Sequence, residues 1–379
     1  MDGRRAGSTA RHLALTAAAD LSLDAVRAAL AGTTPLAVLP DGPPAVVAAA
    51  RRVLRPGEPL EPGADLVVVT SGSTGSGRGV LLPAAALEAS AAATHARLGG
   101  PGSWLLALPV SAIAGLQVLV RSVLTGTGPE VLARDEPLSE AVRRLPAGRR
   151  YTALVPTQLR RFLDEEPAAL RAFDAVLVGG AATDAALRAR AREEGVAVVP
   201  TYGMTETAGG CVYDGRPLDG VRVRVTDGVE LAGPTLALGY RLDPAATEAA
   251  FADGWFRTRD AGSLGADGRL TVTGRLDDVV ISGGVNVAPA AVEAALREHP
   301  DVADAVVLGR PDATWGQRVV AAVVPARGAT PELPVLRAWV ADRLGRAAAP
   351  RQLHLLDHVP LLHTGKPDRR TVAALIPEV

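Results

Sequence analysis

Leu66-Val67-Val68-Val69-Thr70-Ser71-Gly72-Ser73-Thr74-Gly75-Ser76-Gly77-Arg78-Gly79 carries an apolar strand straight into a loop that can be neither core strand nor helix. Thr70 to Gly79 holds four glycines, three serines and two threonines in ten residues. Such a segment offers several backbone N–H groups, five hydroxyls and the Arg78 guanidinium to an oxyanion. A phosphate is the obvious guest, and a mobile polar turn is the plain alternative. The spacing is not G-x-x-x-x-G-K-S/T, so a standard nucleotide-triphosphatase loop does not fit.

Outward from this loop, short apolar strands alternate with helices. Helical periodicity covers Ser22 to Leu30 and Pro44 to Val53, and Pro56 to Gly63 reads as a connector. An alanine-rich helix is expected from Pro83 to Leu98, a strand over Trp104 to Leu108, and a helix near Gly115 to Thr125. Strands at Thr152 to Val155, Ala175 to Val178 and Val196 to Pro200 alternate with helices at Gln158 to Leu163 and Asp184 to Glu194. That alternation predicts a layered α/β domain with ligands at the carboxyl ends of the strands. After Gly210 the period becomes two, as in Val221-Arg222-Val223-Arg224-Val225 and Leu270-Thr271-Val272-Thr273, which predicts a small antiparallel sheet region. A boundary falls near Gly274 to Asp278, giving domains 1–276 and 277–379. Beyond it, helices at Pro289 to Glu298 and Pro334 to Leu344 flank strands at Val302 to Leu308 and Arg318 to Val324, a small α+β domain.

Composition narrows the function classes. The 379 residues are 48% hydrophobic and 21% charged with a net charge of −1, which gives no electrostatic case for nucleic acid or an anionic membrane. The single cysteine, Cys211, excludes an internal disulfide and a cysteine-built metal site, and reads as a small structural residue. Met1 to Arg11 is positively charged without an apolar segment of signal-peptide length, and Trp104 to Val120 is too broken for a membrane span. A cytoplasmic protein is expected.

Four further segments place polar residues at strand ends. Gly179-Gly180-Ala181 lets a flat ligand approach the backbone, or is a simple tight turn. In Thr201-Tyr202-Gly203-Met204-Thr205-Glu206-Thr207, Tyr202 could stack on a ring, Thr205 could hold a phosphoryl oxygen and Glu206 a magnesium ion. A capped helix start with a satisfied threonine hydroxyl is the alternative there. Asp260, in Gly254 to Asp260, could accept from two ribose hydroxyls or be a surface-turn aspartate. Lys366, in His363-Thr364-Gly365-Lys366, is either a solvated charge or a cation presented to an anionic reaction centre. Together these segments suggest ATP, with charge building at the α-phosphate near Lys366 and magnesium.

In this order and with these residues, the chain from about Asp65 onward resembles the adenylate-forming superfamily of acyl-CoA synthetases, luciferases and adenylation domains. Trp104 to Ser122 and Leu154 to Leu159 resemble most closely the short 2-succinylbenzoate–CoA ligases of actinobacterial menaquinone synthesis. The resemblance implies an acyl-CoA synthetase-like fold whose C-terminal domain is mobile. It implies that Thr70, Ser71, Gly72, Ser73, Thr74, Gly75 and Arg78 handle the β- and γ-phosphates. Gly179, Gly180, Ala181, Tyr202 and Gly203 would frame the adenine, Thr205 would meet the α-phosphate, and Glu206 would bind Mg2+. Asp260 and Arg275 would hold the ribose, Asp277 would be the hinge and Lys366 the catalytic lysine. Ser282, Gly283 and Gly284 would line the route of coenzyme A after the small domain turns, while Ser111, Ala112 and Gly209 would face the acyl group. A carboxylate would attack the α-phosphate of ATP, and the CoA thiol would then displace AMP from the acyl-adenylate. A ligase for another aryl or aliphatic acid, or an adenylation enzyme loading a carrier protein, shares these motifs; a homo-oligomer is compatible with them.

Three departures from that pattern stand out. Gly77-Arg78 replaces the usual proline and lysine, and arginine keeps the cation while adding a planar fork. In Ser111-Ala112, Ala112 stands where relatives usually carry histidine or another aromatic residue, and the succinylbenzoate ligases often carry two histidines there; Ala112 implies a roomier, less polar acyl wall. Arg259 interrupts the usual T-G-D before Asp260.

Overall fold

Leu66–Val69 is the middle strand of a five-stranded sheet, its first three side chains buried as an unbroken apolar run requires. The structure, a computed structural model, describes residues 10–70, 77–362 and 365–377. The sheet contains β1 (Ala14–Ala17), β2 (Leu36–Leu39), β3 (Leu66–Val69), β4 (Gly79–Leu82) and β14 (Gly239–Tyr240) in that order. The first three are parallel, while β4 and β14 are antiparallel to their neighbours. β1 and β2 are four-residue strands that the periodicity did not reveal.

A seven-stranded sheet lies beyond. It is built from β5 (Ser103–Leu106), β6 (Glu130–Val131), β7 (Arg150–Leu154), β8 (Ala175–Val178), β9 (Val198–Met204), β10 (Gly209–Tyr213) and β11 (Arg216–Pro217). The order is β11-β10-β9-β8-β7-β5-β6, parallel from β6 to β9 with an antiparallel edge. β9 does not end at Pro200 as expected. It continues to Met204, because Gly203 and Met204 pair with Gly210 and Gly209 of β10. Thr205–Thr207 is then a single 3-10 turn linking the two strands, and not the start of a longer helix.

Helices α1 (Leu23–Leu30), α2 (Pro44–Leu54), α3 (Ala84–Arg97) and α4 (Ile113–Thr125) follow their expected positions. Ser22 caps α1 by accepting from the Ala25 N–H, and Gly126 ends α4 at a φ of 71°. One core joins Val68 and Leu82 of the first sheet, Leu87 and Ala91 of α3, Leu116 and Val120 of α4, and Trp104 and Tyr151 of the second sheet. α4 therefore lies between sheets, and every residue from Gly115 to Ser122 is buried. Burying each of its large aliphatic side chains is worth roughly 1.5–3 kcal/mol, an upper figure. Gly115 is obligatory, since a Cβ there would stand 2.2 Å from the Pro109 carbonyl oxygen. Gln117, Arg121 and Ser122 share this burial, so the interior of α4 is not purely apolar.

The chain then forms a four-stranded antiparallel sheet, β12 (Arg222–Val225), β13 (Val229–Ala232), β15 (Phe251–Ala252) and β16 (Trp255–Arg257), and a hairpin, β17 (Asp260–Leu264) with β18 (Leu270–Arg275). Buried Arg241 holds the proline- and glycine-rich connector through the carbonyls of Leu54, Arg55, Glu58 and Pro59 and the carboxylate of Glu61. The last sheet comprises β19 (Val280–Ser282), β20 (Val285–Val287), β21 (Val302–Asp312), β22 (Gly316–Pro325) and β23 (Gln352–Leu355). β21 and β22 run longer than expected because they form one continuous ladder from Val302 to Pro325. Alternation along β21 sorts its two faces: Ala305 and Val307 pack under the helices Pro289–Arg297 and Leu333–Leu344, while Val306 faces Val372 of the helix Arg369–Leu375. Among the described residues no helix is long and apolar enough to cross a membrane.

Candidate active site

The polar loop after β3 is closed at its neck by two backbone strands. The Thr70 N–H donates to the Arg78 carbonyl at 2.9 Å, and the Arg78 N–H donates to Thr70 Oγ1 at 3.3 Å. A Cβ on Gly77 would lie 2.2 Å from the Thr70 carbonyl oxygen, so this neck admits only glycine. Of the anticipated phosphate ligands, Ser71, Gly72, Ser73, Thr74 and Gly75 lie outside the described residues. Thr70 and Arg78 lie within them.

Arg78 reaches β14 of the same sheet. Its Cζ sits 4.9 Å from the centroid of the Tyr240 ring, a cation–π contact. The Tyr240 hydroxyl donates to Glu206 Oε1 at 3.0 Å, an interaction for which the sequence held no signal because 34 residues separate the pair. Burial raises the Glu206 carboxyl above its ordinary value, and Tyr240, Lys366 and Arg78 pull it back. Burial also raises the Tyr240 phenol, with the Glu206 charge adding to it.

Lys366 converges on the same place from the far end of the chain. The turn that carries it is closed by Leu362 N–H on the Lys366 carbonyl and by Gly365 N–H on Leu362, each at 2.8 Å. A Cβ on Gly180 would lie 3.5 Å from Lys366 Cε, and one on Gly365 would lie 2.9 Å from Val155 Cγ2. The residue remains exposed, yet its surroundings lower the amine below the ordinary lysine value. Desolvation is the largest cause; Glu206 and Asp260 oppose it, while Arg275 adds to it. Two carboxylates and the cation thus act on one another across a shared space.

Tyr202, on β9, donates its hydroxyl to Asp260 Oδ2 at 2.7 Å, and burial with the Asp260 charge raises its phenol. Asp260 lies directly opposite Arg275 on the β17–β18 hairpin, with 4.0 Å between Oδ1 and Nη1. The Arg275 fork is spent elsewhere, on both oxygens of Asp277 at 2.8 and 2.9 Å. Gly179 is pinned, since a Cβ would come 2.4 Å from Thr201 Oγ1; Ala181 is exposed beside it. Gly203 allows the close β9–β10 approach, where a Cβ would meet the Gly209 carbonyl oxygen at 2.2 Å. Thr207 is the satisfied threonine, bonded to Met204 N–H and to the carbonyls of Met204 and Gly209. Thr205 is almost buried at the turn between them.

Gly209 opens a second region. With φ at +104°, it lies so close to α3 and α4 that a Cβ would meet Gln117 Cγ at 3.3 Å, Ile113 Cγ1 at 3.8 Å and Ser90 Oγ at 4.0 Å. Ser111 is buried near the start of α4, with no hydrogen-bond partner for its Oγ among the described residues. Ala112 is the N-cap of α4 and offers no side-chain cap. Gln117 Nε2 donates to Leu87 O at 3.3 Å and Ala208 O at 2.8 Å, tying α3 and α4 to the Gly209 segment. One turn further along, Arg121 is 3% exposed; its Nη2 donates to Thr94 Oγ1 at 3.3 Å and its Cζ lies 4.6 Å over the Trp104 ring. Thr94 Oγ1 in turn meets the Tyr213 hydroxyl at 2.9 Å. No carboxylate lies within ion-pair distance of Arg121 among the described residues, its Nε is unpartnered, and burial lowers its pKa. This seam went unread in the sequence. A Gln and an Arg four residues apart inside an apolar helix were the only signal.

Gly283 and Gly284 are not part of this cluster. They line an open hollow of about 690 Å3 with Trp315, and all of its lining residues fall between Val279 and Gln317. Gly283 has a φ of +61° and donates its N–H to the Trp315 carbonyl at 2.8 Å. Cys211 is fully buried, its thiol pushed up to about 12 by burial, which suits a structural residue.

Comparison with known proteins bears on this arrangement. The sequence pattern of the AMP-binding enzyme family matches residues 16–236, and that of the AMP-binding enzyme C-terminal domain matches residues 291–366. A probable 2-succinylbenzoate–CoA ligase of Mycobacterium tuberculosis is 47% identical over 97% of both chains. The 2-succinylbenzoate–CoA ligase of Geobacillus kaustophilus is 34% identical, over 82% of this chain and 69% of that one. Among solved structures, o-succinylbenzoate CoA synthetase from Bacillus subtilis in complex with the acyl-adenylate OSB-AMP aligns with a TM-score of 0.76. That alignment has 26% identity and covers 95% of this chain and 82% of the other.

Proposed function

The chain belongs to the AMP-binding, adenylate-forming enzyme family as an AMP-forming acid–thiol ligase, and from that premise we propose that its acid is 2-succinylbenzoate. The observation that carries this reading is Arg121. A buried guanidinium without a carboxylate partner is costly unless something supplies the missing anion. 2-Succinylbenzoate has two carboxylates; when one is activated, the other needs a cation inside the protein. Arg121 lies one helical turn beyond Gln117, which packs against Gly209. The ligases named above support the same acid. We further propose a role in menaquinone biosynthesis and a cytoplasmic location, where ATP and CoA are supplied.

On this reading the aliphatic carboxylate attacks the α-phosphorus of ATP, the bond to the β-phosphate oxygen breaks, and pyrophosphate leaves. Lys366 offers its ammonium to the charge growing on the α-phosphoryl oxygens, and Thr205 positions them. Thr70 and Arg78 hold the departing phosphates at the neck of their loop. Asp260, oriented by Tyr202, takes the ribose hydroxyls, and Gly179, Gly180 and Ala181 admit the adenine.

A magnesium ion would be held by Glu206. Glu206 Oε1 accepts from the Tyr240 hydroxyl, so Oε2 would be left for the ion. One carboxylate plus substrate phosphates suits this ion, which would neutralise phosphate charge there.

The CoA thiol then attacks the acyl carbonyl, the carbonyl–AMP bond breaks and the thiol proton leaves. Gly283 and Gly284 stand in a hollow apart from the Lys366 cluster, which supports a second arrangement for this step. We place the division at Leu276–Asp277, with residues 277–379 turning about Asp277. The test is AMP release from ATP, Mg2+ and 2-succinylbenzoate with and without CoA, beside a panel of aryl and aliphatic acids. Turnover of another acid in preference to succinylbenzoate would reject the assignment and keep the mechanism.

A further inference from the structure

The turn that carries Lys366 runs directly into the short helix Arg369–Leu375, and the two ends of that helix are held differently. The far end is held by packing and by one arginine. Val372 and Ile376 sit against Val306, Val320 and Ala322 on one face of the last sheet, and Arg310 donates to the Ala373 and Ile376 carbonyls. The near end, three residues from Lys366, is held by Arg369. β21 is an edge strand, so alternate residues along it turn their backbone groups away from β22. Val307 is one of them: its N–H donates to Glu293 Oε1 at 2.9 Å, and its carbonyl accepts from Arg369 Nη1 at 2.8 Å. Arg369 Nη2 donates to the same Glu293 oxygen at 2.5 Å, which closes a ring of three hydrogen bonds. Glu293 is 6% exposed, and Arg297, itself fixed by Asp304 and the Ala305 carbonyl, lies 3.9 Å from its Oε2. A planar fork engaged on two acceptors fixes direction as well as distance.

We infer that Arg369 is a positioning residue for acyl-adenylate formation: braced on Glu293 and Val307, it fixes the chain three residues from Lys366 and so sets where the ammonium stands. The inference rests on the role of Lys366 in the proposed mechanism. The turn itself transmits the hold. Leu362 N–H closes on the Lys366 carbonyl, and Asp368 N–H donates to the Pro360 carbonyl, each at 2.8 Å, so the turn is tied to the backbone that bears Arg369. On its other side the turn meets the large domain, where Gly365 packs so near Val155 that a Cβ would come 2.9 Å from Val155 Cγ2. Lys366 is therefore carried on a closed turn rooted in the small domain and seated on the large one. Arg369 acts through that lysine and not on the substrates. Displacing a reacting group by about 1 Å slows a reaction by up to about 100-fold.

The experiment measures the two half-reactions separately, with the acid of the panel that the wild type turns over. ATP–pyrophosphate exchange with Mg2+ reads the first, and thioester formation from supplied acyl-adenylate and CoA reads the second. Arg369→Met, which keeps the stem and removes the fork, should lower kcat for exchange by roughly 10- to 100-fold. It should leave KM for ATP and the thioester rate within about two-fold of the wild type, and the retained thioester rate shows that the variant folds. Added to Lys366→Ala, it should bring no further loss, because a residue that acts through the lysine has no effect once the lysine is gone. Arg369→Lys keeps the charge on Glu293 and gives up the fork, so it should recover part of the exchange rate; it carries the same comparison if the methionine variant does not fold. Equal losses in both half-reactions, a further loss on top of Lys366→Ala, or an unchanged exchange rate overturns the inference alone. A Lys366→Ala enzyme with full exchange overturns the role of the lysine, and the inference with it.

Discussion

Replacing Arg121 with methionine separates stability from recognition, because the two should move in opposite directions. In the free protein the guanidinium has the neutral hydroxyls of Thr94 and Tyr213 and the Trp104 face beside it, and no carboxylate among the described residues. A desolvated cation–π contact returns about 2 kcal/mol, against a desolvation cost of several kcal/mol for the ion. Arg121→Met, of similar length and apolar, should therefore leave the ligand-free melting temperature unchanged or raise it slightly. Toward substrate the effect reverses. A charged hydrogen bond to a carboxylate contributes about 1.5–3 kcal/mol, or roughly 10- to 150-fold in kcat/KM. The assay measures kcat/KM for 2-succinylbenzoate and for 4-oxo-4-phenylbutanoate, the same acid without its ring carboxylate, in both proteins. The wild type should prefer the dicarboxylate by that factor, and the variant should lose the preference by slowing on the dicarboxylate alone. A variant that still prefers the dicarboxylate refutes the reasoning, and so does a large fall in melting temperature with both acids equally impaired.

Lys366→Ala should lower acyl-adenylate formation by about 100-fold or more, as loss of a preorganised cation does, while conversion of supplied acyl-adenylate and CoA to thioester persists; pyrophosphate exchange and thioester assays read the two halves. Glu206 has a folded-state pKa above its ordinary 4.5, so its contribution to stability is full below that value and is lost as pH rises through the raised one. The melting temperature of the ligand-free protein should accordingly fall as pH rises through this window, and Glu206→Gln should flatten the profile. Gly203→Ala would force a Cβ to within 2.2 Å of the Gly209 carbonyl oxygen. It should cost about 2–4 kcal/mol in denaturant unfolding and disturb β9–β10 pairing; an unaltered midpoint would show that the strands yield more easily than this contact implies.

The sequence by itself determined whatever depends on neighbouring residues. Alternating strands and helices announced the layered α/β architecture, and α1 to α4 fell where periodicity and alanine content placed them, since these are local signals. Family likeness carried the candidate residues Lys366, Glu206, Tyr202 and Asp260, which the tertiary structure gathers around one space. Local pattern misled at β9, where a T-Y-G-M run with polar character reads as loop but is held extended by ladder bonds to β10. Short β1 and β2 escaped for the same reason, because their strand state comes from pairing, β1 with β2 and β2 with β3. What only the tertiary structure decided are relations between distant segments. Tyr240 bonds to Glu206, Arg275 turns its fork to Asp277, and Ser90, Gln117 and Arg121 line a seam beside Gly209. No sequence spacing encodes these. A buried polar side chain on an apolar helix declares its purpose only when the atoms across from it, or their absence among its neighbours, are known, because its energy depends on its partners more than on its own helix.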